Sequence, residues 1–512
     1  MQKKLLAVAV LSAFSGVAAA QSANVTLYGT FVQNVEQVSA TGGDGSVTVG
    51  TTSSRNAAAA VAGSNVIAGN LGGARVTGAA NAAGVADQEN RFRFNPAGSN
   101  FGLRGTEDLG NGLSAWFQIE LSANFGANPP LGGNNEGRAP TMRNTGVGLR
   151  SNTWGTALFG VWDTPFNTMV NNLNANARVS GASTNHSANL LGGNMYAQGA
   201  VSGQATASWC TPVVGAGALG PTAGQCANFG MNFDRRERSS MQWWSPNWNG
   251  FELRGAYNVT QDNGNITLNN QSFGRNTLKQ NIWDLTGSYT NGGLYVGYAY
   301  ERQNDTLAAA VRNWTGAAVA GGAITGMASG EGTGAWQMGT AGGAAAGNTY
   351  MNGSRATGHR LGAKYAFSNG FGIGAMWESL TWNMTYGVDN GAVAAAAQNL
   401  TQLKKTAWRL QGNYTTGNHF VSLDYTRANA MSGAIASTTA AVNNTYDGSS
   451  TGARAWMVNY NYALSKRTSI GAYYNSIKNE TNANYSGIVF GGITTAPGAS
   501  PKYLGMQVRH SF

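Results

Sequence analysis

Apolar and polar residues alternate in short segments along most of this chain. In LSAWFQIEL (113–121) every odd-numbered residue is apolar, whereas the even-numbered residues are Ser, Trp, Gln and Glu. A period of two sends successive side chains to opposite faces of a β-strand, so the pattern predicts strands with one apolar face. It recurs in FELRGAYNV (251–259), IWDLTGSY (282–289), LYVGYAYE (294–301), RLGAKYAF (360–367), WRLQGNY (408–414), VSLDYT (421–426) and WMVNYNY (456–462).

Very short links join these strands in pairs, as in LGNG (109–112), TNGG (290–293) and TTGN (415–418). Links rich in Asn and Gly are typical of tight hairpins. Between the pairs the connections are long and rich in Gly, Ala, Asn and Thr. We predict sixteen strands, at 24–36, 99–108, 113–124, 141–150, 154–162, 239–246, 250–260, 281–290, 293–302, 358–367, 371–381, 405–415, 418–428, 453–463, 467–478 and 502–512.

Two all-β architectures use strands of this kind, a soluble sandwich and a membrane barrel. A sandwich does not need long strands with all the short turns at one end. A membrane barrel needs both, because each strand crosses about 25 Å of hydrocarbon and closure leaves no backbone edge in lipid. The apolar faces of the quoted segments carry no charge. The sequence therefore predicts a 16-stranded antiparallel transmembrane β-barrel with short periplasmic turns and long extracellular loops.

Aromatic residues lie beside the short turns, where the interfacial girdle of a membrane barrel belongs. Any one of them has an ordinary strand aromatic as its alternative, but the set favours a girdle. Its members are Trp248, Phe251, Tyr289, Phe367, Phe371, Tyr414, Phe420, Tyr462 and Phe512.

The first twenty residues, MQKKLLAVAVLSAFSGVAAA, place two lysines before an apolar run that ends in three alanines. This order is typical of a secretory signal peptide cleaved after Ala20. A membrane anchor is the alternative, but the run is short for a bilayer. We therefore predict a signal peptide at 1–20 and one barrel domain at 21–512. With 73 Gly and only 11% charged residues, the composition is unlike that of a helical enzyme.

Cys210 and Cys226 are the only cysteines, and export would place them in an oxidising compartment that permits a disulfide between them. Closing this loop would stabilise the fold by about 3 kcal/mol on the chain-entropy model. The four histidines are scattered along the sequence and none lies near either cysteine. We therefore predict neither a metal site nor a cofactor.

Four segments resemble the Gram-negative general porins, particularly the β-proteobacterial branch: GTEDLGNGL (105–113), SPNWNGFE (245–252), VTLYG (25–29) and LGMQVRHSF (504–512). The resemblance covers the strands and short turns and fades in the long loops. It implies a water-filled, homotrimeric pore in the bacterial outer membrane. Phe512 matches the terminal aromatic residue that the barrel assembly machinery reads in this family.

The resemblance also implies that the third long loop, from about Asp163 to Asp234, folds into the barrel and narrows it opposite a basic wall. Between these two aspartates the sequence contains Arg178 but no Asp or Glu. Cation-preferring relatives have an acidic loop at this place. The negative half of the field across the pore is therefore expected to be weak.

Arg104 and Arg143 match basic wall positions of the family and are our first candidates for the pore constriction. The alternation places Val147 and Leu149 on the apolar side, and Arg143 would share that side and face lipid. A β-bulge between Arg143 and Val147 would turn the arginine inward.

Two other wall positions have lost their charge, because Asn100 and Gln242 stand where the family pattern leads us to expect arginine. Arg235, Arg236 and Arg238, where the loop returns to the sixth strand, are candidates to restore it. The alternative for this run is a solvated loop end that binds lipopolysaccharide or nothing.

Without residues 1–20 the chain has 30 basic and 22 acidic residues, a net charge of +8. Positive pore mouths concentrate anions, but the preference depends on the position of each charge more than on the sum. The predicted inward charges are Glu120, Arg254, Arg360, Lys364 and Arg409, together with Arg509, Glu252, Asp284, Glu301, Glu378 and Asp424.

These features predict a pore for passive diffusion of small hydrophilic solutes and ions, with a mild preference for anions. We find no P-loop, HExxH, GxSxG or Cys/His cluster, and we expect neither catalysis nor nucleic-acid binding. The alternatives are a substrate-specific channel and a surface-interaction barrel whose lumen is restricted by loops. The low-complexity segments 39–90, 305–356 and 430–452 are expected to lie outside the membrane, where outer-membrane lipid and lipopolysaccharide are the expected partners.

Overall fold

A computed structural model describes most of the predicted strands and a part of the third loop. The signal segment 1–20, Arg178, Cys210 and Cys226 lie outside the described residues, as does most of each low-complexity segment. The described residues are 24–42, 48–49, 52–53, 88–96, 98–123, 140–174, 190–192, 233–259, 266–268, 271–273, 281–304, 349–350, 355–384, 387–388, 401–434, 450–480, 483, 485 and 498–512.

Sixteen long strands and one helix make up the described architecture. The strands are β1 (Asn24–Thr41), β2 (Gln88–Asn95 and Asn100–Gly110), β3 (Leu113–Ser122), β4 (Thr145–Ser151), β5 (Gly155–Asp163), β6 (Arg236–Trp244), β7 (Phe251–Val259), β8 (Asn281–Asn291), β9 (Leu294–Asn304), β10 (Arg355–Ala366), β11 (Phe371–Met384), β12 (Thr401–Thr416), β13 (His419–Ala428 and Ser432–Ala434), β14 (Ala453–Ala463), β15 (Thr468–Asn479) and β16 (Ser500–Ser511). The helix α1 (Pro165–Asn172) follows β5. Three further pairs of two- or three-residue strands lie in the long connections.

Each strand pairs antiparallel with its neighbour in sequence, and the sheet closes on itself. β16 pairs with β1 from Thr30 opposite Ser511 to Thr41 opposite Ser500. At the seam the backbone N–H of Phe512 donates to the carbonyl of Gly29 at 3.1 Å. The predicted sixteen-stranded antiparallel barrel is confirmed, with short turns at one end and long connections at the other.

The outer surface of the barrel is apolar and the inner surface is polar. Leu285 is 54% exposed, whereas its neighbour Asp284 is buried at 4%. Phe117 lies opposite Val147, which is 58% exposed on the same outer face. An apolar exterior around a polar interior is the arrangement that a bilayer requires, because lipid meets only the outward residues.

One part of the barrel wall was placed wrongly in a loop by the sequence pattern. Gln88–Asn95, which overlaps the predicted low-complexity segment 39–90, is the first half of β2, and it pairs with a β1 that continues to Thr41. Phe92 and Phe94 point outward, whereas Arg93 points inward and pairs with Glu36 at 2.7 Å. The alternation FRF carried the signal, but the Gly- and Ala-rich residues before it concealed it.

The predicted girdle is largely exposed, with one exception. Trp248, Phe251, Phe367 and Phe371 are each at least 43% exposed beside their turns. Phe420 is only 5% exposed, so its assignment to the girdle was wrong. It shares the inward side of β13 with buried Ser422 and Asp424, because side chains two residues apart face the same way.

The helix α1 begins with standard capping groups. Thr164 is its N-cap, and the threonine hydroxyl accepts a hydrogen bond from the Asn167 backbone N–H at 3.2 Å. Pro165 occupies the first turn, where its missing N–H costs nothing. Phe166, Met169 and Val170 are the buried residues that follow. No helix within the described residues is long and apolar enough to cross a bilayer.

Candidate pore constriction

The described residues of the third loop enter the barrel through α1 and pack against the inner wall. Apolar residues from the loop, Phe166, Met169, Val170, Leu173, Leu190, Leu191 and Phe233, share one buried cluster with inward residues of β9 to β11, among them Tyr295, Met376, Leu380 and Trp382. Gly358 of β10 allows the close approach, because a Cβ there would lie 2.7 Å from the Phe233 ring. The described residues of the loop lie inside the barrel, as the resemblance implied.

Arg360 of β10 is the centre of the contacts that fix the loop. Its guanidinium donates to Glu378 at 2.8 Å on the neighbouring strand and to Asp234 of the loop at 2.7 Å. It also donates to the carbonyl of Phe166 at 2.8 Å and lies over the ring of that residue. The side chains of Arg360, Glu378 and Asp234 are at most 4% exposed, and this burial raises the pKa of Asp234 although Arg360 opposes the shift.

Carboxylates of the wall bind backbone groups of the loop directly. Asp284 accepts from the Phe166 backbone N–H at 3.1 Å, at the N-terminus of α1. This is the end of a helix that attracts negative charge. Glu378 accepts from the Gly192 backbone N–H at 2.7 Å. Two of the predicted inward acids therefore hold the loop in place.

The end of α1 is fixed in the same manner. Lys364 donates to the carbonyl of Asn172, and Gln411 donates to the carbonyl of Leu173. Arg409 donates to the side chain of Asn174 at 3.0 Å and pairs with Asp424 at 2.5 Å. Arg360, Lys364 and Arg409 point inward as predicted, and each of them donates at least one hydrogen bond to the third loop.

A second cluster of charges lies on β1 to β4. The Tyr28 hydroxyl donates to Glu120 at 3.0 Å, and Arg143 donates to the other oxygen of the same carboxylate at 2.5 Å. The Arg104 guanidinium lies 5.2 Å from the centre of the Tyr28 ring. Arg104 is exposed and the Arg143 side chain is 25% exposed. The structure thus brings Arg104 and Arg143 together around Glu120.

Arg143 reaches the lumen through a bulge. Gln118 lies opposite Gly146, and Leu121 lies opposite Met142, so three steps on β3 correspond to four on the facing strand. The extra residue reverses the side on which the preceding residues point. The prediction that a bulge turns Arg143 inward agrees with this register.

The third loop leads into β6 through three arginines, Arg235, Arg236 and Arg238, and their surroundings differ. Arg235 pairs with Glu237, and Arg236 pairs with Asp163 at 2.9 Å. Arg238 is exposed. Acidic partners therefore offset two of the three charges that were expected to restore the basic wall.

The two positions that lack the expected arginine make structural hydrogen bonds. Gln242 is 5% exposed and donates to the carbonyl of Asp163 at 3.0 Å. Asn100 donates to the carbonyl of Gly98 at 3.0 Å, beside the interruption of β2. Neither side chain supplies charge to the lumen.

The sequence pattern missed an aromatic cluster on the inner wall. Trp116, Trp162 and Trp244 lie with ring centres 5.7 to 6.4 Å apart. The Arg254 guanidinium lies 5.1 Å from the Trp244 ring and pairs with Glu252 at 2.7 Å. Arg150, which we had not singled out, lies 5.7 Å from the Trp116 ring. Trp116 and Trp244 occupy inward-facing positions in the alternation of β3 and β6, and those positions were the available signal for the cluster.

A closed barrel with an apolar exterior, a charged interior and an inward-folded loop defines the class of outer-membrane β-barrel pores. The family model of the Gram-negative porins matches residues 7–340 and 331–482. The chain therefore belongs to the Gram-negative porin family, and it resides in the outer membrane.

Individual relatives share less of the sequence. An outer membrane porin protein of Bordetella pertussis is 34% identical over 166 residues, which cover 31% of this chain and 33% of that protein. The match thus spans about a third of the relative's length. The anion-selective porin from Comamonas acidovorans has the same fold, with 17% identity, a TM-score of 0.51, and coverage of 96% of this chain and 100% of that one. The trimer form of OmpT from Vibrio cholerae aligns at 11% identity, a TM-score of 0.46, and coverage of 96% and 100%.

Proposed function

We propose that this protein is a water-filled channel for passive diffusion of small hydrophilic solutes and ions, with a mild preference for anions. The observation that carries the preference is that Arg104 and Arg143 lie on the inner wall with exposed surface. The sequence of the third loop adds no acidic residue between Asp163 and Asp234. An arginine at a constriction attracts anions and repels cations. Salt screens this interaction only weakly, because the passing ion comes within a short distance of the guanidinium. Diffusion of this kind needs no turnover chemistry.

The nearby carboxylates limit the preference to a mild one. Glu120 lies between Arg143 and Tyr28, and Glu252 pairs with Arg254. One acid therefore balances part of the charge of the Arg104 and Arg143 cluster, which leaves a net positive charge there. The name of the Comamonas porin, which is anion-selective, is consistent with the same sign.

Replacing Arg104 and Arg143 together with glutamine is expected to move the reversal potential under a salt gradient toward that of a cation-selective pore. The double variant leaves Glu120 as the unpaired charge of the cluster, so the sign of the local field reverses. The measurement is the reversal potential of single channels in a planar bilayer.

The matched control is the pair Arg454→Gln and Lys478→Gln. These two residues lie opposite each other on β14 and β15, on the outward faces that also carry the exposed Trp456 and Tyr474, so the control removes the same charge from the outer surface of the barrel. Its reversal potential is expected to equal that of the unchanged protein. A double Arg104/Arg143 variant with an unchanged reversal potential would show that the constriction lies elsewhere.

We further propose that residues 1–20 are an export signal, that the pore is a homotrimer, and that the barrel assembly machinery reads Phe512. The Phe512 ring packs at 5.3 Å from that of Phe31, and 37% of the residue is exposed at the strand end. Deleting Phe512 is expected to lower the amount of folded protein in outer-membrane fractions, whereas Phe512→Tyr keeps it. Equal amounts of the unchanged protein, the Phe512 deletion and Phe512→Tyr would contradict the proposed assembly signal.

The proposed trimer has a separate test, which is the molecular mass of the protein after extraction in detergent.

A further inference from the structure

Three tryptophans form an aromatic surface on the inner wall, from the start of the third loop to the short turn after β6. Trp116 of β3 and Trp162 of β5 meet edge to face, with ring centres 5.7 Å apart and an interplanar angle of 79°. The Trp244 ring lies 5.8 Å from that of Trp162 and 6.4 Å from that of Trp116. Trp116 is 8% exposed, whereas Trp162 and Trp244 keep a larger part of their surface exposed. We call these three residues the tryptophan platform.

The wall holds the rings of the platform in place. The Trp244 indole N–H donates to the Gln242 side chain at 3.0 Å, and Gln242 in turn donates to the Asp163 carbonyl at 3.0 Å. Trp116 lies opposite Gly148, where a Cβ would stand only 2.9 Å from the indole nitrogen, so the glycine leaves room for the ring. A solute that binds here meets side chains that are already ordered, which lowers the entropy cost of binding.

Two arginines border the platform at one level of the barrel. In register, Thr156 of β5 stands between Arg150 of β4 and Trp244 of β6. Arg254 of β7 stands on the other side of Trp244. The Arg150 guanidinium lies 5.7 Å from the centre of the Trp116 ring, and the Arg254 guanidinium lies 5.1 Å from the centre of the Trp244 ring. Positive charge and aromatic surface therefore lie side by side.

One of these two cations has no acidic partner within the described residues. Arg254 pairs with Glu252 at 2.7 Å. Arg150 is exposed, and no ion pair in the described part of the chain includes it. Asp108, two strands away from Arg150, accepts instead from the Gly110 backbone N–H of its own turn at 2.8 Å. Among the described residues, the platform thus has one uncompensated positive charge beside it.

This combination of charge and aromatic surface distinguishes between solutes that stack on tryptophan. A neutral sugar stacks on an indole ring but has no charge to pair with Arg150. An aromatic amine stacks as well, but the arginine repels it. A planar aromatic ring with a carboxylate uses both features, because the ring stacks on tryptophan and the carboxylate accepts paired hydrogen bonds from a guanidinium.

We propose that the tryptophan platform and Arg150 form a binding site for aromatic carboxylates inside the lumen. Neighbouring strands stand about 4.8 Å apart, so the Cα atoms of Arg150 and Trp244, two strands from each other, are about 10 Å apart. A solute of two fused rings spans this distance, with its rings on Trp162 and Trp244 and its carboxylate at Arg150. The inference deepens the proposed diffusion pore and rests on it, because a solute reaches the platform through the lumen.

The test measures the binding of naphthoate to the purified protein in neutral detergent by isothermal titration calorimetry. Trp244→Leu is expected to weaken binding about tenfold, which corresponds to about 1.4 kcal/mol and to the loss of one stacking contact. Arg150→Gln is expected to weaken binding about fivefold, because an ion pair open to water is weak. Heat-dependent gel migration shows whether each variant is folded.

Each variant has a matched control on the outer face of the barrel. Trp243→Leu changes the adjacent tryptophan, which is 40% exposed on the lipid-facing side of β6. Arg454→Gln removes a charge from the outward face of β14. Both controls are expected to bind naphthoate as the unchanged protein does. Naphthylmethanol, which has the rings without the charge, is expected to depend on Trp244 but not on Arg150.

Equal affinities of Trp244→Leu and the unchanged protein for naphthoate would overturn the proposal. So would an equal loss in Trp243→Leu, because the naphthoate would then lie in the detergent layer. An Arg150→Gln variant with unchanged affinity, or glucose binding that depends on Trp244 as strongly, would reject aromatic carboxylates as the ligand class. Normal conductance without naphthoate binding would reject this site and leave the pore intact, whereas binding without conductance would reject the proposed diffusion and leave the site.

Discussion

Replacing Arg360 with methionine is expected to release the third loop from the wall and to raise the single-channel conductance. The variant removes the donors to Asp234, Glu378 and the Phe166 carbonyl at once, and it leaves two carboxylates in a buried site. Breaking a buried ion pair on one side costs about 3–5 kcal/mol. That cost favours a state in which the loop moves away and the carboxylates meet water. Conductance in planar bilayers is the measurement.

Arg254→Met is the matched control for this prediction. Arg254 also faces the lumen and pairs with a glutamate, but its side chain and that of Glu252 are 27% and 29% exposed. A pair open to water is worth little, so the control is expected to change conductance much less. A conductance that stays at the unchanged value in Arg360→Met would show that the loop is held by its apolar contacts alone.

Placing an arginine at Leu285 is expected to destabilise the barrel by about 2–4 kcal/mol, because this position meets lipid near the middle of β8. Leu285 is 54% exposed on the outer face. Ser288→Arg is the control, since Ser288 points into the lumen and lies opposite Glu252. Denaturant-induced unfolding in lipid vesicles measures both. Equal free energies of unfolding for the two variants would contradict the assignment of Leu285 to the lipid-facing side and Ser288 to the lumen.

The barrel could be predicted from the sequence because its signal is local. A strand such as 113–121 shows its two faces in consecutive residues, and Asn/Gly links such as 290–293 show where each hairpin turns. The lipid acts on every outward residue in the same way, so the pattern repeats without reference to distant parts of the chain. The first half of β2 was missed because the Gly- and Ala-rich residues before it concealed its alternation.

The contacts of the site could not be predicted because they join residues that are far apart in sequence. Asp234 and Arg360 are 126 positions apart, and the Gly192 N–H and Glu378 are 186 apart. The alternation showed that Arg360 faces inward, but not that the loop would engage it. Met376, Leu380 and Trp382 were the available signal for the docked loop. Apolar residues at inward positions of β11 indicate that another segment of the chain covers this part of the inner wall.

The outer surface shows the same limit. Arg427, Arg454 and Lys478 each look like an ordinary basic residue near a strand end. Only the register places them opposite one another. Register depends on turns and bulges along the whole strand, which one sequence does not specify.

The most direct test of the account is the reversal potential of the unchanged protein in a planar bilayer that separates concentrated from dilute potassium chloride. We predict ohmic channels whose reversal potential has the sign of a modest chloride preference, because we propose that water fills the barrel and that Arg104 and Arg143 face its constriction. Absence of conductance, or a reversal potential of the opposite sign, would contradict this account.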